Sequence, residues 1–122
     1  MKKLRLQKRK SGYKFRAFFD IYFVDSRKMR RLNKAFRGKD KPTNVLAFPA
    51  NGFPRPDVKS YFLGEIYLCP SYINSHREDI KRLVIHGFLH LLGYTHKKSS
   101  DRIKMEDLEK KILTKISTIW DN

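Results

Sequence analysis

Three of the chain's four histidines lie in one run, His86-Gly87-Phe88-Leu89-His90-Leu91-Leu92-Gly93-Tyr94-Thr95-His96. His86 and His90 are four apart, so on a helix they project from one face about one turn apart, close enough to share an ion. Gly93 can break that helix through a positive backbone angle and let the chain swing back, bringing His96 toward the same point. Three neutral imidazoles with one open position describe a catalytic zinc site better than a structural one, which normally has four protein ligands. The expected cofactor is one zinc per chain, although nickel, iron or copper could occupy the same ligands in vitro.

The spacing matches that of zinc peptidases, in which a glutamate follows the first histidine. Here that position is Gly87. A peptidase needs the carboxylate to activate water and return a proton to the leaving amine, so its absence argues against peptide hydrolysis. Glu65 is the other carboxylate of interest, either a base or support for a metal ligand, or an exposed strand acid paired with a lysine. Tyr61, Tyr67 and Tyr94 could stack on bases, but in a small domain such tyrosines are more often core or boundary residues. The lone Cys69, beside Pro70, reads as a small buried apolar residue rather than a nucleophile.

The elements that must hold these groups alternate between strand-like and helix-like runs. Phe15 to Val24 is rich in Phe, Tyr and Ile and predicts a strand. Asp25 or Ser26 can cap a helix whose Met29, Leu32 and Phe36 keep helical spacing, and Gly38 suits its end. Lys39 to Asn44 predicts an ordered loop, Val45 to Phe48 a short buried strand, and 51–59 a surface excursion. A strand over Tyr61 to Leu68 carries Glu65, and Pro70 and Ser71 open a helical turn. Glu78 to Leu92 predicts a helix with Ile80, Leu83, Val84, Gly87, Phe88 and Leu91 as its apolar stripe. Ser99 or Ser100 can cap a last helix that turns Ile103, Leu108, Ile112 and Ile116 to the core. Strands early and helices late predict a single α+β domain over residues 1–122, one small mixed sheet packed with helices and the metal cleft on the histidine-bearing helix. Residues 1–14 form a basic segment, read as a short edge strand or a flexible tail.

Charge narrows the partner. The net charge is +16, and residues 1–42 hold sixteen Lys and Arg against Asp20, Asp25 and Asp40, a net +13. Such a field attracts polyanions, above all RNA. A solvated tail explains the first ten residues better than it explains Arg27, Lys28, Arg30, Arg31, Lys34, Arg37, Lys39 and Lys41, which continue through a folded segment. No membrane is expected, because no basic amphipathic helix has a broad apolar face and Ala17 to Val24 is too short to span a bilayer. One cysteine permits no intramolecular disulfide, which points to the cytoplasm.

Two separated blocks then carry a resemblance. Leu32-Asn33-Lys34-Ala35-Phe36-Arg37-Gly38-Lys39-Asp40-Lys41-Pro42-Thr43-Asn44-Val45-Leu46-Ala47-Phe48 and the run from His86 to His96, with Leu63-Gly64-Glu65-Ile66 between them, resemble the YbeY family of bacterial rRNA maturation endoribonucleases. The resemblance covers roughly residues 17 to 116 and implies that His86, His90 and His96 hold zinc and that Arg37 lines the cleft and serves RNA processing. It also implies an α+β fold with the metal between helices and sheet. The implied substrates are rRNA precursors and the ribosomal subunit, with ribosomal proteins or ribosome-associated GTPases as partners.

Two departures stand out. The family usually has an acid immediately before its third histidine, where this chain has Thr95, so metal affinity or activity could be lower, or the role of orienting a ligand could pass to Glu65 or Asn44. Members also commonly carry an extra helix ahead of the strand near Phe15, where Met1 to Gly12 can supply at most a short strand.

The implied function is a zinc-dependent endoribonuclease of single-strand type in rRNA maturation, ribosome assembly or quality control. His86 acts with the metal, and Arg37 clamps a phosphate bidentately; from the residues alone Arg37 reads equally as an exposed helix-end arginine that complements the helix dipole. The nucleophile is either zinc hydroxide or the neighbouring 2′-hydroxyl. Two alternatives stay open: a non-catalytic rRNA-binding assembly factor with a structural metal, and a small metalloprotease.

Overall fold

Aromatic and β-branched residues pack well on a pleated surface, and they build three of the four strands described here. The computed structural model describes residues 2–8, 16–50, 60–95 and 97–120, with side chains over 17–50, 62–95 and 97–115. Its elements run β1 (Lys2–Lys8), β2 (Arg16–Phe23), α1 (Ser26–Arg37), β3 (Val45–Pro49), β4 (Ser60–Leu68), α2 (Pro70–Ser75), α3 (Ile80–Leu91) and α4 (Ser99–Trp120). The four strands form one mixed sheet in the order β1-β2-β4-β3, with β2 and β4 parallel and both outer pairs antiparallel. The α+β expectation therefore holds. The basic amino terminus is an edge strand, Lys2 facing Phe23 and Lys8 facing Ala17. The expected excursion at 51–59 lies outside the described residues.

Side chains alternate across β4 and sort into two cores. Ile66 and Leu68 join Ile21, Ile73, Leu83 and Leu91 on the α3 side. Tyr67 packs on the opposite side against Val24, Met29, Leu46 and Cys69, beneath α1. Gly64 sits where the β2–β4 register slips and has φ +136°. A Cβ there would lie 2.2 Å from the Phe48 carbonyl oxygen, so only glycine allows β3 and β4 to pair at that point.

The helix ends follow local chemistry. Asp25 caps α1 by accepting a hydrogen bond from the Lys28 amide at 2.7 Å, and Gly38 closes it in the left-handed conformation at φ +70°. Asp79 caps α3 in the same manner, so that helix begins at Ile80 rather than Glu78. In α4 the Lys98 carbonyl takes the first helical hydrogen bond, from Arg102, which places Ser99 and Ser100 inside the helix rather than at its cap.

Two apolar stripes differ from expectation. Ile80 is exposed, while Ile85 and Leu89 are buried against Met105 of α4. The reason is that α3 lies between the sheet and α4, so two of its faces are covered and a one-face reading finds only the first. On α4, Ile103 is 60% exposed and Met105 and Glu109 are buried. Residue 103 lies about 200° around the helix from residue 105, so the inward row is Met105, Leu108, Glu109 and Ile112. Ile116 lies outside the residues whose side chains are described.

Candidate active site

The cleft forms where α3 crosses the sheet near β3. Gly87 permits that approach: a Cβ there would lie 3.0 to 3.2 Å from three carbons of Ile66. The helix backbone thus rests directly on the Ile66 side chain of β4, and His86 and His90 line a cleft of about 760 Å³. β3, Phe36 and Arg37 at the carboxyl end of α1, and Tyr94, Thr95 and Lys97 after α3 complete its lining.

The two imidazoles face each other, with Nε2 of His86 and Nε2 of His90 3.0 Å apart. Their other nitrogens decide the tautomers. His90 Nδ1 lies 2.9 Å from the Tyr94 carbonyl, which can only accept, so Nδ1 carries the proton and donates. His86 Nδ1 lies 2.5 Å from a carboxylate oxygen of Glu109, which imposes the same tautomer. Each Nε2 is left as a lone-pair donor. Two lone pairs at that separation repel unless a cation, a proton or a metal ion, lies against both. Carboxylate or carbonyl support behind each ring is also how metal-ligating histidines are commonly held.

Glu109 was not anticipated. It is 6% exposed, and its second oxygen lies 3.8 Å from Nε of Arg82. The signal was present in sequence, since an acid in step with Met105, Leu108 and Ile112 is a carboxylate on an apolar stripe. Finding its partner required knowing which face of α3 the stripe meets.

The turn after α3 behaves as the sequence predicts. Gly93 takes φ +99°, and its turn returns the Tyr94 carbonyl to His90. His96, the third expected ligand, lies outside the described residues. Among the described residues no set of three His, Cys, Asp or Glu side chains forms a metal-holding group.

Arg37 is exposed at the end of α1, lines the cleft, and has no ion-pair partner among the described residues. Its neighbour in the basic run differs: Arg30 donates to Asp40 at 2.8 Å and holds that carboxyl below the usual carboxylate range. The loop between α1 and β3 is anchored by the buried Asn33, whose amide donates to the Lys41 carbonyl at 2.8 Å. Asn44 also lines the cleft, its amide donating to Glu78 at 3.0 Å.

Glu65 does not join this group. It shares a sheet face with Tyr67, opposite the α3 face that bears the histidines, because alternate residues of a strand point to opposite sides. The Tyr67 hydroxyl donates to it at 3.3 Å. Burial, with the Glu65 carboxylate and Tyr22 adding to it, pushes the Tyr67 phenol up to about 12. Cys69 is fully buried, as expected of a small apolar residue.

The family model for endoribonuclease YbeY matches residues 2–117. The chain belongs to the endoribonuclease YbeY family. It is 35% identical over 115 residues to the endoribonuclease YbeY of Pseudoalteromonas translucida, a match covering 88% of this chain and 74% of that protein. It is 38% identical over 105 residues to the endoribonuclease YbeY of Rhodopseudomonas palustris, covering 79% of this chain. There it spans only 55% of the relative's length. The solution structure of TM1509 from Thermotoga maritima is similar, with 32% identity and a TM-score of 0.52 over 84% of this chain and 70% of that one. The YbeY blocks read in the sequence, at Arg37 and at His86 and His90, are the ones that the fold brings to a single cleft.

Proposed function

We propose that this chain is a cytoplasmic, zinc-dependent endoribonuclease that cuts single-stranded segments of rRNA precursors during ribosome maturation, assembly or quality control. One zinc per chain would be held by His86, His90 and His96. The observation that carries the reading is the histidine pair: both Nδ1 protons are committed to acceptors and both Nε2 atoms converge at 3.0 Å. That donor set suits zinc. When bound, zinc supplies a water of lowered pKa or a Lewis acid for a phosphoryl oxygen.

The chain's own groups do the rest. Arg37 binds the phosphate through its forked guanidinium and stabilises charge as phosphorus becomes pentacoordinate. Lys97, which lines the cleft, and the basic residues of α1 hold the backbone electrostatically. The Glu109 carboxylate and Tyr94 carbonyl keep the two rings in the tautomer that directs Nε2 inward. Peptide hydrolysis lacks its base, and a glutamate at position 87 would have to displace Ile66. The ribosomal subunit, ribosomal proteins and ribosome-associated GTPases are the proposed partners, on the family resemblance.

The test is cleavage of a structured rRNA fragment by purified protein, with zinc counted per chain. The wild-type chain should cut at defined positions with about one zinc bound, while His90→Ala and Arg37→Ala should bind RNA without cutting it. Persistent cutting by His90→Ala would place the chemistry elsewhere and favour a non-catalytic assembly factor.

A further inference from the structure

Two aromatic rings in the cleft remain without a role. Phe36 immediately precedes Arg37, lines the cleft, and is 65% exposed. Tyr94 lines the same cleft beside the histidines and is 39% exposed. A phenylalanine so exposed at the end of a helix otherwise rich in Lys and Arg is not there to complete the core. Nor is its ring loosely held. Phe36 packs edge-on against Phe48 at 4.9 Å, Phe48 against Tyr67 at 5.5 Å, and Tyr67 stacks on Tyr22 at 4.9 Å. This ladder runs back into the sheet and fixes the outermost ring, whose remaining surface is open. Tyr94 is fixed through its backbone, whose amide bonds to the Leu89 carbonyl and whose carbonyl accepts from His90.

Resting on the endoribonuclease reading, we infer that Phe36 and Tyr94 are stacking platforms for two nucleobases, one on each side of the phosphate held by Arg37. A nucleobase has the chemistry these walls select: a flat π-face for the rings, joined to a phosphate for Arg37 and Lys97. Stacking accepts any base, so the platforms set a requirement for unpaired bases rather than for a sequence. A base inside a duplex has both faces covered and cannot meet either ring. Phe36 and Tyr94 are thus specificity-determining residues, and Arg37 reads the backbone between them.

The experiment is equilibrium binding, by fluorescence anisotropy at one salt concentration, of a short unstructured RNA and of the same strand with single bases removed at successive positions. Readings are taken before any cutting, as checked by the length of the recovered strand. For the wild-type chain, loss of the base at either of two positions should weaken binding about tenfold. Phe36→Leu should abolish the penalty at one position and Tyr94→Leu at the other, while Phe36→Trp should retain it. Equal binding of intact and base-deleted strands by the wild-type chain would overturn the inference, as would variants that weaken every strand alike. Cleavage measured on the same strands separates the two readings. Base-dependent binding without cutting upholds the platforms and removes the nuclease, whereas cutting with base-independent binding does the reverse.

Discussion

At the level of single residues, the site is organised by what lies behind each imidazole. Glu109 and the Tyr94 carbonyl commit the outer nitrogens, and the inner ones converge. Glu109→Gln replaces a carboxylate acceptor with an amide and should weaken zinc binding about ten- to a hundredfold, measured by competition with a chromogenic chelator. An unchanged affinity would mean that Glu109 serves only to pack α4. Tyr67 offers a second residue-scale test. Its raised pKa, about 12, means that the fold favours the neutral phenol, chiefly through burial. The stabilisation is fully present below the unfolded value of about 10 and is lost as pH rises from there toward the folded value. Phenolate absorbance should show a late-titrating component that is lost in Tyr67→Phe.

The elements make the site by approaching closely on one side of α3 and bonding on the other. Against the sheet, contact depends on Gly87 having no side chain over Ile66. Gly87→Ala forces three short contacts with that isoleucine and should cost about 1–3 kcal/mol, read from the denaturant midpoint. Because His86 is the preceding residue, zinc affinity should fall with it. Against α4, contact depends on Met105, which is 1% exposed and packs with Ile85 and Leu89. Met105→Ala should cost about 2–5 kcal/mol. It should also loosen zinc binding, since Glu109 rides on the same helix one turn away. A stability loss without any change in metal affinity would show that the helix holds Glu109 in place by other contacts.

Across the whole molecule, charge and shape divide the work of finding and cutting RNA. Most of the positive charge of residues 1–42, twelve of the sixteen Lys and Arg, is spread over the edge strand β1, over α1 and over the loop that follows it. Not all of it is available, because Asp40 engages Arg30 at 2.8 Å and lies 4.0 Å from Lys34. RNA affinity should fall steeply with salt, and Arg37→Ala should lower the slope of log affinity against log salt by about 0.7, the share of one phosphate contact on a single strand. A slope that does not change would place Arg37 outside the phosphate path. No helix among the described residues is long and apolar enough to cross a membrane.

Local order was legible in the chain itself. The cap at Asp25, the left-handed Gly38 and Gly93, and the four-residue spacing of His86 and His90 depend on neighbours within a turn or two, where backbone sterics and helix period decide the outcome. The mixed sheet and the burial of Cys69 were also expected from residue types, although long-range packing completes both. Other features were settled only when distant segments met. The amphipathic pattern of α3 could not show that α4 would cover its second face, so Ile85, Leu89 and the inward Glu109 went unread. The alternation of β4 put Glu65 on one face or the other, but which face the histidine helix would occupy is a property of packing. Phe36 looked like core from its spacing, and Tyr94 like core or boundary, yet both open onto the cleft because α1 ends and α3 turns at its mouth. Short-range sterics and periodicity are written residue by residue, whereas the choice of partner for each face is made by the whole chain at once.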